Sequence, residues 1–194
     1  MVVDLVVDVV LPDISTPIAE AKSLWARIRT ELFGYPAAPQ GNASDFPKWI
    51  SMLEHYNKEQ FGPECAGKKG CITGEWNELI DDLRGKKADE QLQAVNRFVN
   101  SQSYVVDEAN YGEVDFWATP LQFLENGGDC EDYAILKMFS LLKLGWSESA
   151  LRLVVVQDTK LKVAHAVLVV SVGADMLVLD NQNSKVERTD LIAH

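Results

Sequence analysis

Cys130 lies in GGDCEDYA, immediately ahead of an apolar run that reaches Gly145. Gly127 and Gly128 permit a tight turn, Asp129 is a good N-cap, and Gly145 is a C-terminal stop. Residues 130–144 therefore read as a buried helix with Cys130 in its first turn. Unpaired backbone N–H groups and the positive end of the helix dipole at that position favour a thiolate and can hold an oxyanion. Such a cysteine is either an inert buried thiol or a nucleophile, and a nucleophile needs a base. His165, one of three histidines, stands near the start of the apolar strand KVAHAVLVV. If Gly173-Ala174 is a two-residue hairpin turn, Val167 falls opposite Asp180 and His165 opposite Gln182. The period of two then puts His165, Val167 and Asp180 on one face, with His165 and Asp180 diagonal, about 7–8 Å apart at the backbone. Asp180 can orient the imidazole while the other ring nitrogen faces a thiol. An odd-length turn without a bulge would break this register.

Three carboxylates, Asp129, Glu131 and Asp132, crowd the thiol, and negative charge raises a thiol's pKa. On a helix Asp129 and Asp132 share one side, and Glu131 sits about 100° around from Cys130. The carboxylates are therefore expected to turn away from the thiol and converge on a cation. Oxygen-only ligands favour Ca²⁺, which would neutralise the repulsion and fix the first helical turn. The spacing is not that of an EF-hand. The alternative is an acidic helix N-terminus that complements the dipole.

The elements that must hold these residues divide along the chain. Apolar stripes at helical spacing predict helices over 18–33, 45–60, 73–83 and 88–100, all in the first half. After the turn-rich YGEVDFWATP and the Cys130 helix come three β-rich runs, LRLVVVQ, KVAHAVLVVSV and DMLVLDN. Helices first and strands afterwards predict an α+β fold with an antiparallel sheet, helical over about 17–145 and sheet over about 151–190, in one domain spanning 1–194.

Composition limits the function. The chain has 194 residues, 47% hydrophobic and 24% charged, with net charge −11. That balance disfavours nucleic acid, whose binding rests on Lys and Arg, and no stretch is apolar enough to span a bilayer. MVVDLVVDVVLP is interrupted by Asp4 and Asp8 and has no preceding basic residue, so it reads as mature chain, an extended segment, and not as an export signal. Cys65 and Cys71 close PECAGKKGC. Either they form a short disulfide, which would imply an oxidising compartment, or they are two loop thiols.

In this order, VNRFVN, YGEVDFWATP, GGDCEDYAILK, AHAVL and LVLDN resemble the bacterial transglutaminase-like cysteine proteinase family, over roughly residues 60–190. The family includes the LapG-type periplasmic proteases that cut the N-terminal region of large surface adhesins. The resemblance implies a transglutaminase/papain-like fold with the nucleophile at a helix N-terminus. It implies Cys130 as nucleophile, His165 as base and then acid, and Asp180 as the residue orienting His165. Asp129, Glu131 and Asp132 would bind calcium, and Trp117 matches an aromatic near the active site. It further implies periplasmic location and control by the periplasmic domain of an inner-membrane cyclic di-GMP receptor. Relatives run past the LIAH ending into another strand. The reading is a calcium-dependent cysteine endopeptidase that releases biofilm cells. Transglutaminase-type acyl transfer, or a non-catalytic calcium-binding module on the same fold, are its rivals.

Overall fold

A computed structural model describes residues 5–8, 40–42, 46–59, 72–157 and 162–191. Two features of the sequence reading, the helix over 18–33 and the Cys65/Cys71 loop, lie outside the described residues. The helices of the first half are α1 (Pro47–Glu59), α2 (Ile72–Leu83), α3 (Ala88–Asn100) and the single turn α4 (Asp107–Asn110). Then come α5 (Pro120–Asn126) and α6 (Cys130–Lys143). Apolar periodicity alone leaves α5 unassigned, although its start carries two signals. Pro120 occupies the first turn, and Thr119 and Gln122 cap each other reciprocally at 3.2 and 3.0 Å.

The strands are β1 (Leu5–Asp8), β2 (Gln40–Asn42), β3 (Leu151–Gln157), β4 (Ala164–Val172), β5 (Asp175–Leu179) and β6 (Glu187–Arg188), arranged in the sheet as β2-β1-β3-β4-β5-β6. All neighbours are antiparallel except β1 and β2. The sheet therefore exceeds the three runs expected over 151–190. The apolar N-terminal segment contributes β1, pairing Leu5 with Val155 and Val7 with Leu153, and β2 falls inside the stretch read as helical. Two strands of four and three residues carry too little periodicity to be separated from loop by pattern alone.

Helix α6 is the centre of the molecule. It is buried almost along its length and packs against β3, β4, α3 and α5. Leu136 and Leu141 of α6 share one core with Leu92, Val95 and Val99 of α3 and with Leu151, Leu153, Leu168, Val170 and Leu179 of the sheet. Each such fully buried side chain contributes about 1.5–3 kcal/mol. Ser140 shows how a polar group is accommodated in this layer. The Trp76 Nε1–H of α2 donates to Ser140 Oγ at 2.8 Å, and Ser140 donates to the Leu136 carbonyl at 2.7 Å.

Helix α3 also fixes the chain beyond β5. The Asn100 side-chain amide donates to the carbonyls of Asp180 at 2.9 Å and Asn183 at 3.0 Å, and Asn96 donates to Asn183 at 3.0 Å. These bonds replace the ladder that the chain leaves after Leu179, so a helix sets the position of Asp180. Asn100→Ala is expected to destabilise the fold by about 1–3 kcal/mol, because the Asp180 carbonyl loses its donor and the Asn183 carbonyl keeps only that of Asn96. Urea denaturation of the variant beside the parent checks this.

Candidate active site

The entry to α6 is made by two glycines with different reasons. Gly127 holds a positive φ of 74°, and a Cβ there would collide with the Ser103 carbonyl. A Cβ on Gly128 would collide with the Asp132 carboxylate. The close approach is used. Segment 103–105 runs beside Gly128, with Val105 N–H on the Gly128 carbonyl at 2.9 Å and Gly128 N–H on the Ser103 carbonyl at 3.3 Å. Asp132, with none of its surface exposed, accepts from the Ala118 N–H at 2.7 Å and the Asp129 N–H at 3.2 Å. It thus joins the FWATP segment to the first turn of α6. Trp117, the residue before Ala118, is half-buried, donates to Asp115 at 3.1 Å and packs edge-on against Trp49.

The hairpin adopts the expected register. Val172 pairs with Asp175 across Gly173-Ala174, and the ladder runs to Leu168 opposite Leu179, one step short of Val167 and Asp180. His165 Nε2 lies 2.8 Å from Asp180 Oδ1, and the two are 3% and 4% exposed. The same carboxylate oxygen accepts the Gln182 N–H at 2.9 Å. An ionised Asp180 only accepts, so Nε2 carries the proton and Nδ1 is the nitrogen that can take one. Cys130, half-buried at the start of α6, receives the backbone N–H of Ala166, the neighbour of His165. The structure therefore brings the first turn of α6 against β4 at the His165 position.

The carboxylates depart from expectation in one respect. Glu131 does not turn away from the thiol: Cys130 Sγ donates to Glu131 Oε2 at 3.4 Å. Burial first, then the charges of Glu131 and Asp129, push the Cys130 thiol well above its ordinary range, while the Ala166 N–H acts in the opposite sense. Glu131 is 9% exposed and hydrogen-bonded to Asp129, so burial and its acidic neighbours hold it protonated far above the usual carboxylate range. Asp132 is pushed up to about 8 by burial, against the Ala118 N–H, with Asp129 and Asp107 adding to the rise. Carboxylates buried together, with their own charges as the nearest neighbours, keep their protons.

Asp107 is a member of this group that the spacing did not suggest. It is 1% exposed, and its Oδ2 accepts the Phe116 N–H at 2.5 Å. Asp107, Asp129 and Asp132 each bring an oxygen within 4.8 Å of the others, and Asp107, Asp115 and Glu131 do likewise. Among the described residues, Oδ1 of both Asp107 and Asp129 is buried without a hydrogen-bond partner. Orphaned oxygens converging in an all-oxygen cluster fit a hard cation such as Ca²⁺. The signal for Asp107 was not legible because it stands more than twenty residues upstream in a one-turn helix. Tyr104 was also missed. It is 57% exposed, stacks on Tyr133, and its phenol is raised by burial and then by the nearby Cys130, Asp129 and Glu131.

A helix with a cysteine in its first turn, packed on an antiparallel sheet that carries a His–Asp pair, is the architecture of the transglutaminase-like fold. The model of the bacterial transglutaminase-like cysteine proteinase family matches residues 65–191. The chain belongs to that family and is a cysteine protease. Among solved structures it is similar to LapG of Legionella pneumophila, at 33% identity and TM-score 0.56 over 63% of this chain and 71% of that one. The calcium-bound form of the same protein is similar at 30% identity and TM-score 0.56, over 72% of this chain and 75% of that one. Among curated proteins nothing matches.

Raised carboxyl pKa values set the sign of the pH dependence. Without metal, Glu131 and Asp132 hold protons at neutrality that an unfolded chain releases near pH 4, so the native state binds more protons and stability falls as pH rises from about 4, up to about 8 through Asp132 and on to about 10 through Glu131. The melting temperature of the chelated protein is expected to be lower at pH 8 than at pH 5. Calcium, which displaces those protons, is expected to raise it more at pH 8 than at pH 5. Scanning calorimetry at the two pH values, with calcium and with chelator, reads both.

Proposed function

We propose that this chain is a calcium-dependent endopeptidase in which Cys130 is the nucleophile, His165 the base and then the acid, and Asp180 the orienting residue. The observation that carries the reading is the buried His165–Asp180 hydrogen bond of 2.8 Å, on the strand against which Cys130 is held. His165 Nδ1 takes the thiol proton, and Sγ attacks the scissile carbonyl. His165 then returns that proton to the departing amine, and water hydrolyses the acyl-enzyme with His165 again as base. The Cys130 N–H, at the open end of α6, supports the oxyanion.

Asp129, Glu131 and Asp132, with Asp107, are the residues that would hold calcium. A bound Ca²⁺ would cancel the carboxylate charge that now opposes the thiolate. The metal-bound form of LapG and the orphaned oxygens of Asp107 and Asp129 support this site.

The substrate in this reading is the N-terminal region of a large surface adhesin, cut in the periplasm to release biofilm cells. The periplasmic domain of an inner-membrane cyclic di-GMP receptor withholds the protease. The likeness to LapG supports this assignment. No helix among the described residues is long and apolar enough to cross a membrane.

The alkylation rate of Cys130, followed peptide by peptide in mass spectrometry, is expected to reveal a thiolate well below the ordinary value of about 8.5 in calcium, and slower reaction near neutral pH with chelator. Incubation with an adhesin N-terminal fragment is expected to give one calcium-dependent cut that Cys130→Ala abolishes. An isopeptide crosslink would mean acyl transfer instead. A thiol of ordinary pKa, indifferent to calcium, would make the chain a binding module.

A further inference from the structure

Tyr104 is tied to α6 on both sides of Cys130. Its segment makes a parallel bridge with Gly128, two residues before the cysteine. The Gly128 N–H reaches the Ser103 carbonyl at 3.3 Å, and the Val105 N–H reaches the Gly128 carbonyl at 2.9 Å. The Tyr104 ring stacks on that of Tyr133, three residues after the cysteine, with centroids 6.2 Å apart and planes 28° from parallel. Residues three apart on a helix share a side, so Tyr133 and Cys130 leave α6 in similar directions. A further tie comes from the Tyr133 hydroxyl, which donates to the Gln102 carbonyl at 2.7 Å. Tyr133 is itself fixed, buried with its ring edge-on to Phe123 at 4.7 Å.

A ring braced at so many points is usually covered, yet Tyr104 is 57% exposed. Val106, two residues on in the same extended segment, is 48% exposed. Alternate residues of an extended chain share a face, and the intervening Val105 lies against Gly127. Tyr104 and Val106 therefore form an apolar strip facing solvent beside Cys130. Neither belongs to the hydrophobic core. Burial does most to raise the Tyr104 phenol, and charge on Cys130 comes next, ahead of Asp129 and Glu131, which agrees with this placement.

We propose that Tyr104 is a specificity-determining residue: its ring, with Val106 beside it, is the wall on which an apolar side chain of the substrate peptide lies while a nearby carbonyl meets Cys130. The inference rests on the protease reading and adds to it a substrate-contacting group outside the triad.

A protease gains rate from contacts that fix the scissile carbonyl against its nucleophile. A tyrosine supplies rigid contact area at low entropic cost, having only two side-chain torsions to immobilise, and here the stack on Tyr133 already holds the ring. Because the ties run to residues 128 and 133, the wall keeps its position relative to residue 130. A ring and a valine offer little to a charged side chain, and the acids around Cys130 repel an acidic one. The occupant that fits is an extended peptide with an apolar residue close to the bond that is cut.

Tyr104→Ala and Tyr104→Phe are compared on the adhesin N-terminal fragment in saturating calcium. Tyr104→Ala is expected to lower kcat/KM tenfold or more, and Tyr104→Phe, which keeps the ring, to recover most of that loss. Iodoacetamide is too small to need the wall, so its reaction with Cys130 is expected to slow less than twofold in Tyr104→Ala. In a Cys130→Ala background, calorimetric titration with the uncut fragment is expected to show binding weakened tenfold or more by Tyr104→Ala. Unchanged cleavage by Tyr104→Ala would overturn the proposal and leave the protease reading intact. So would an equal loss in Tyr104→Phe, which assigns the role to the hydroxyl, or an equal loss of alkylation, which assigns it to the thiol. A parent that binds the fragment without cutting it would end the protease reading, and the titrations would still decide whether the ring holds the peptide. A parent that neither binds nor cuts overturns both. Should Tyr104→Ala fail to fold, Tyr104→Gln is read in its place.

Discussion

The Asp132 carboxylate, out of contact with solvent and bonded to the Ala118 and Asp129 backbone, is the joint on which the site depends. Those two bonds connect a loop to a helix start, and the missing side chain of Gly128 leaves room for them. A carboxylate withdrawn from water must be given donors or keep a proton, and two N–H groups leave the balance close to even. The consequence spreads outward. Asp107 and Asp129 bring oxygens close to it, and charge on Asp129 or Glu131 falls on the thiol of Cys130. Everything that would make this thiol reactive has to offset that field.

The molecule places its positive features accordingly. The first turn of α6 presents unpaired N–H groups, and the Ala166 N–H points at the sulfur. Both act from the backbone and carry no net charge. The carboxylate cluster gathers on one side of Cys130, through residues 107–132. The His165–Asp180 pair approaches from the sheet. The thiol lies at the boundary between a region that repels electrons and one that organises them, and a cation bound on the acidic side would shift the balance.

Much of this was legible in the sequence because the signals are local and the geometry periodic. A two-residue turn at Gly173-Ala174 has one register, and that register brings His165 to Asp180 whatever else the chain does. The apolar stripe of α3 and the start and stop residues of α6 marked their bounds almost to the residue. Tertiary facts were not legible. Helical spacing places the Glu131 Cα relative to Cys130, but the rotamer that returns its carboxylate to the thiol is chosen by burial against Asp129. Asp107 joins the acids only through the fold of the intervening loop. Asn96 and Asn100 read as the polar side of an amphipathic helix, yet they serve a loop more than eighty residues later. Strands β1 and β2 belong to the sheet because β3 has an edge to be covered.

The pairing of β1 with β3 joins residue 5 to residue 155. Most of the chain is thus a loop closed by two short strands, and such distant pairing forms late and slowly. Cys130 and the acids around it, by contrast, all precede residue 133, whereas His165 and Asp180 arrive with the later hairpin. A chain still being synthesised therefore has Cys130 before it has His165 and Asp180. Whatever chemistry Cys130 performs is withheld from the nascent polypeptide by the order in which its residues are written.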